Sequence, residues 1–118
     1  MFEAKDIREW RGSDVVDSGG SKIGTLESVY VDTATDDPIF ATVTVGLPTR
    51  RRLAFVPLTG AKVGPGYVQV CHAKGDVRKA PSIGTDGELP ASGEPAVFEH
   101  YGFRYQPGAG GERRLARR

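Results

Sequence analysis

The sequence has a single cysteine, Cys71, so no intramolecular disulfide can form. Such sparing use fits a reducing cytoplasm. No run of about 18 apolar residues is present, so no membrane-spanning helix is expected. The charged start Met1-Phe2-Glu3-Ala4-Lys5-Asp6 is not followed by an apolar stretch, so no secretion signal is expected either. The cytoplasm is therefore the expected location. Neither sign of charge dominates: the formal net charge is +1, and bulk charge points to neither nucleic acid nor a membrane surface. No internal repeat is evident.

Catalytic chemistry is also thinly provided for. A nucleophile needs a positioned base. Cys71 and His72 are neighbours, and adjacent residues on a strand point to opposite faces, so they make a poor pair. Cys71 is expected to be a buried or half-buried structural residue. His72 and His100, the two histidines, belong to no motif that joins them. Metal binding needs three or four ligands at suitable spacing, and none cluster. Asp32, Asp36 and Asp37 lack the spacing and closing Glu of a calcium loop, and read as turn-forming acids. No catalytic, metal or cofactor residue is expected, and the protein is not expected to be an enzyme.

What the sequence does have is turns. Its 118 residues include 16 Gly and 8 Pro, about a fifth of the chain, which favours short strands in one mainly β domain. Val15 to Asp32 organises the rest. Asp17-Ser18-Gly19-Gly20-Ser21 is a dense turn signal between two β-rich runs. In the second run, Gly24 and Leu26 share one phase and Val29 and Val31 the other. A β-bulge near Glu27-Ser28 would return both sets to one face. Gly24 reads as a place where another backbone or a large ring comes close. A phosphate loop would need a strand, a Gly-rich loop and a helix in that order, which is missing here.

Before the hairpin, Ala4 to Arg11 suits a short helix ended by Gly12, with Ile7 and Trp10 on one face. Trp10 is expected to cap one end of a barrel, with exposure at a partner surface as the alternative. Thr33 to Pro38 is a turn, and Pro38 opens a third strand in which Ile39, Ala41, Val43 and Val45 alternate with Phe40, Thr42 and Thr44. Leu53 to Leu58 reads as a fourth strand that ends, or lies at an edge, at Pro57. Ala61 to Cys71 reads as a further hairpin around Gly64-Pro65-Gly66.

The expected fold is mainly β: a small antiparallel β-barrel of about six strands between Val15 and Cys71, with a short C-terminal helix. Lys74 to Lys79 suits one helical turn that packs Val77 and stops before Pro81. Thr85 to Leu89 reads as a loop. Ser92 is a candidate N-cap for a helix with Glu94 and Pro95 in its first turn, Val97, Phe98 and Tyr101 as its apolar stripe, and Gly102 as its stop. Phe103-Arg104-Tyr105 is expected to tuck back onto the barrel. Residues 1–105 are thus expected to form the domain. Residues 106–118, rich in Gly and Arg, are expected to form a disordered basic tail.

These residues resemble the PRC-barrel family, named for the photosynthetic reaction centre H subunit. The resemblance spans roughly Asp6 to Tyr105. It rests on Gly12 with Val15-Val16-Asp17, Gly19 through Lys22-Ile23-Gly24, and Glu27-Ser28-Val29-Tyr30-Val31-Asp32. It continues in Phe55-Val56-Pro57-Leu58, in Asp76-Val77 with Ala80-Pro81, and in His100-Tyr101-Gly102. Order and spacing carry it together. The likeness is best to short stand-alone bacterial members, particularly actinobacterial ones, which often bear a second, stress-associated domain where this sequence has its basic tail. The reaction-centre subunit has a transmembrane helix and the ribosome maturation factor a separate N-terminal barrel, neither of which is seen here. Archaeal relatives resemble cell-division adaptors. The resemblance implies a shared docking surface and no catalytic set. Where relatives often have Gly-Leu-Phe-Gly, this sequence departs with Gly46-Leu47-Pro48-Thr49-Arg50-Arg51-Arg52.

Two roles follow as expectations. One is a protein-interaction or adaptor module that docks an unidentified protein or forms a homodimer, with Trp10, Phe40, Tyr67 and Phe103 as the surface. The other is an RNA- or ribosome-associated accessory protein, with phosphate contacts from Arg50, Arg51, Arg52, Arg113, Arg114, Arg117 and Arg118. The aromatic interleaving of a single-strand platform is missing from the basic segments.

Overall fold

The computed structural model describes residues 10–46, 49–85, 89–106 and 113–117. Most of the Ala4–Arg11 helix, Leu47-Pro48, the middle of the Thr85–Leu89 loop, residues 107–112 and Arg118 lie outside the described residues.

Six strands follow the expected order: β1 (Asp14–Val16), β2 (Lys22–Asp32), β3 (Pro38–Val45), β4 (Arg52–Pro57), β5 (Lys62–Gly64) and β6 (Tyr67–Gln69). Helix α1 (Lys74–Arg78) buries Val77, and β7 (Ser82–Gly84) follows Pro81. Helix α2 (Glu94–His100) and a short strand, β8 (Leu115–Arg117), complete the chain. The strands form one sheet in the order β5-β6-β1-β2-β3-β4-β7, with β8 paired to β2 off this path.

Two features differ from the expected antiparallel barrel. First, β1 and β6 pair in parallel, Val15 facing Val68. Second, the ladder is not closed: β5 and β7, the two ends of the path, do not pair among the described residues. The sheet is nevertheless strongly curled. In the path, β4 and β5 stand five places apart, about 24 Å in a flat sheet at ~4.8 Å per strand. The link between them is only Leu58 to Ala61. Five residue steps reach at most about 18 Å, so the two places must come together in space. The same crossing delivers the β5–β6 hairpin to the free edge of β1, where β6 runs in β1's direction.

The bulge lies where alternation demanded it. Leu26 faces Val43 and Ser28 faces Thr42, which leaves Glu27 as the extra residue. Leu26, Val29 and Val31 all reach the same core. The hydroxyls of Ser28 and Thr42 lie 2.6 Å apart, and the Ser28 amide donates to Thr42 Oγ1 at 3.1 Å. Fully buried Thr42 is thereby satisfied at the irregularity. At Gly24, an added Cβ would lie 2.0 Å from the Thr44 carbonyl oxygen, which bears out the close-approach reading.

The sheet buries both faces. Inside the curl is an aliphatic core that includes Val15, Ile23, Leu26, Val43, Val56, Val68 and Val77, with Trp10 against it. Outside is an aromatic cluster of Tyr30, Phe40 and Phe55, covered by Leu89, Val97, Phe98 and Leu115. Phe40 meets Phe98 edge-on with ring centres 5.2 Å apart, and Phe103 and Tyr105 fold back onto this layer as expected. The N-cap of α2 is Gly93, not Ser92, which sits within a preceding 3-10 turn, Ala91–Gly93. No helix among the described residues is long and apolar enough to cross a membrane.

Candidate functional site

The four aromatic residues expected at a partner surface separate. Trp10 is buried against the inner core and Phe40 in the outer layer, so neither offers a surface. In β2, β3 and β4 alternate residues face two filled compartments, and the outer one had no counterpart in the alternation pattern. Phe103 is half-buried over Phe40. Tyr67 is 40% exposed, and Val63 on the partner strand of its hairpin is 43% exposed. The Tyr67 ring lies over Gly64, where an added Cβ would meet it at 2.2 Å. Val63 and Tyr67 are the large apolar residues exposed on the described surface, and β5 is an end strand of the sheet.

The arginines separate too. Arg50 and Arg51 are exposed in the β3–β4 connection. Arg52 opens β4 and donates to the Arg78 carbonyl. Arg113 and Arg114 are tied to acidic side chains of the fold. Arg113 Nε donates to Glu94 Oε2 at 3.3 Å, and Arg114 Nε donates to Asp32 Oδ2 at 2.7 Å. Arg117 ends β8 opposite Tyr30. Within the tail expected to be disordered, residues 115–117 add a strand to β2, and Leu115 is completely buried.

Glu94 explains why. In the sequence it reads as an acidic residue suited to a helix N-terminus; in the fold it is fully buried. Its carboxylate accepts from the Tyr105 hydroxyl at 2.9 Å, the Arg114 amide at 2.9 Å and the Leu115 amide at 3.1 Å, besides Arg113. A buried carboxylate is tolerated only with such partners. All of them come from residues 105–115. Burial and the Glu94 bond together push the Tyr105 phenol up. Asp32 completes the seat: beyond the Arg114 pair, its Oδ1 accepts from the Ala34 amide at 2.7 Å, the turn-forming role expected of it.

The histidines converge on one ring. His72 and His100 each meet Tyr101 with ring centres 4.7 Å apart. Tyr101 donates to the Phe55 carbonyl at 2.5 Å, and His100 Nε2 lies 2.8 Å from the Asp76 carbonyl oxygen. This stack joins the end of α2 to α1 and to the segment after β6. Burial lowers the pKa of His72 and raises that of Tyr101. A nucleophile is missing from it. Cys71 is exposed rather than buried, because β6 ends at Gln69 and the alternation ends with it; its Sγ lies 3.3 Å from the Gly60 carbonyl. Among the described residues no three His, Cys, Asp or Glu side chains gather as metal ligands do.

The fold is a mainly β sheet, tightly curled and packed on both faces, with two large apolar residues exposed on its end hairpin. Comparison supplies the family. A sequence model of the PRC-barrel domain matches residues 2–77, more than half of the chain, and the chain belongs to the PRC-barrel family. That family is one of protein-interaction modules without catalytic machinery. No curated protein matches the chain. The matched segment holds β1 to β6 and most of α1, so the aromatic outer layer is closed by residues beyond it.

Proposed function

We propose that the protein is a non-catalytic adaptor of the cytoplasm, docking a protein partner and able to associate with itself. Membership of the PRC-barrel family supports the class of role. The observation that carries it on this chain is the exposure of two large apolar side chains, Val63 and Tyr67, on the β5–β6 hairpin at the end of the sheet. Tyrosine is among the residue types enriched at interface hot spots. The RNA reading is weaker, because Arg113 and Arg114 are engaged by Glu94 and Asp32.

Affinity capture from native lysate at near-physiological salt, with and without RNase, tests the proposal. The expected result is a partner set that survives RNase and is lost when Val63→Ser and Tyr67→Ser are combined. Ribosomal proteins that disappear on RNase treatment would replace the adaptor reading with the RNA one. A strictly monomeric protein that captures nothing would overturn the proposal.

A further inference from the structure

The seat of β8 has the construction of a peptide-binding site. Its parts lie far from the tail in sequence: the edge of β2 at Tyr30 to Asp32, and the buried carboxylate of Glu94. What it holds is short and linear. Arg113 gives a guanidinium to Glu94, Arg114 gives one to Asp32, and the amides of Arg114 and Leu115 both reach Glu94. Leu115 fills the apolar position and is fully buried. Main-chain pairing to a sheet edge, with side chains read alternately, is how strand addition recognises peptides. A half-open groove of about 980 Å3 runs along the docked strand, lined in part by Thr33, Ser92, Tyr105 and Arg117.

We propose that this seat is a recognition site for an extended Arg-Arg-apolar segment of a protein partner, and that residues 113–117 are its resident competitor. The inference rests on the interaction-module reading and names the chemistry of one partner. A partner segment reproduces the two guanidinium contacts and the buried aliphatic residue, and adds its strand to β2. The tethered tail opposes it. A tethered occupant has an effective concentration of order millimolar, so a free segment of equal quality competes poorly until the tail is weakened.

The test uses full-length protein and a fluorescent peptide with the sequence of residues 111–118, followed by anisotropy. Leu115→Asp removes the tail's apolar anchor and is expected to raise peptide affinity at least about tenfold over wild type. Adding Glu94→Gln is expected to reduce it about 10- to 100-fold, the ordinary worth of hydrogen bonds to a charged group. A peptide carrying Arg113→Gln and Arg114→Gln should bind as weakly as to wild type. Circular dichroism establishes that each variant is folded. If Leu115→Asp does not fold, the pair Arg113→Ala and Arg114→Ala carries the same comparison. A folded, tail-weakened chain that binds neither peptide, or both equally, overturns the proposal. Such a result leaves the exposed β5–β6 hairpin standing, since lysate capture reads that hairpin separately.

Discussion

Glu94→Ala is expected to be among the costliest substitutions in the chain. It strips the acceptor from the Arg114 and Leu115 amides and the Tyr105 hydroxyl. Arg113, whose side chain is 41% exposed, can turn to water and adds little. Hydrogen bonds to a charged acceptor are worth about 1.5–3 kcal/mol each, and breaking a buried charged network costs about 3–5 kcal/mol. The loss is capped by the free energy with which residues 113–117 dock, because release of the strand lets its amides hydrate. We therefore expect a loss of about 3 kcal/mol or more, against a total of about 5–15 kcal/mol for a domain. At about 4 °C per kcal/mol for this chain length, Tm falls by roughly 12 °C. Urea and thermal unfolding of wild type, Glu94→Ala and Glu94→Gln measure it. Glu94→Gln keeps one acceptor oxygen and turns an amide toward donors, so it should fall between the others. Rapid hydrogen exchange at the Leu115 amide should accompany both variants. A loss under about 1 kcal/mol for Glu94→Ala, with Leu115 still protected, would refute the assignment of Glu94 as the tail's anchor.

Gly24→Ala should cost about 3 kcal/mol or more by urea unfolding, because its Cβ would sit 2.0 Å from the Thr44 carbonyl oxygen and one strand must move; an unchanged midpoint would refute the close approach. Acid should destabilise the protein through His72. Burial holds its folded pKa below the ordinary 6.5, partly offset by Asp76 and reinforced by His100. That contribution is complete above about pH 6.5 and is lost as pH falls through the folded value. Wild type should therefore lose more stability between pH 7.5 and 5 than His72→Phe, which keeps a ring against Tyr101; parallel losses in the two proteins would count against it.

Much of the inner sheet was legible in the sequence because its signals are local. The Asp17 turn shows it: Asp17 Oδ1 accepts from the Gly19 and Ser21 amides, and the Ser21 bond chiefly lowers its pKa. Glu27 was legible as a bulge because period two breaks there by one residue. Val77 and Gly102 were legible from helix spacing and helix stops. The outer layer was not. Phe40 alternates with core residues and so reads as facing solvent, until α2 and Leu115 cover it. Residues 82–84 carry no pattern long enough to announce β7, which forms because Leu53 stands opposite Ile83. Glu94 looks like an ordinary first-turn acid, and its burial depends on amides twenty residues away. The charge run of the tail suggested solvent, whereas Leu115 and two acidic partners draw it in. The parallel β1–β6 pair required knowing that the sheet curls.

The shared wall between the two compartments has a consequence for how the molecule opens. Val29, Ala41 and Val56 belong to the aliphatic side, and their chain neighbours Tyr30, Phe40 and Phe55 to the aromatic side. The aromatic side is roofed by α2 and residues 113–117, which come late in the chain; the strands beneath are held by their own ladders. The roof can lift as a sub-global unit while the wall stays standing, whereas loss of the wall removes both compartments at once. Amides of β8 should thus exchange with solvent ahead of those in β3, and on partial opening the aromatic residues should meet water before the aliphatic ones do.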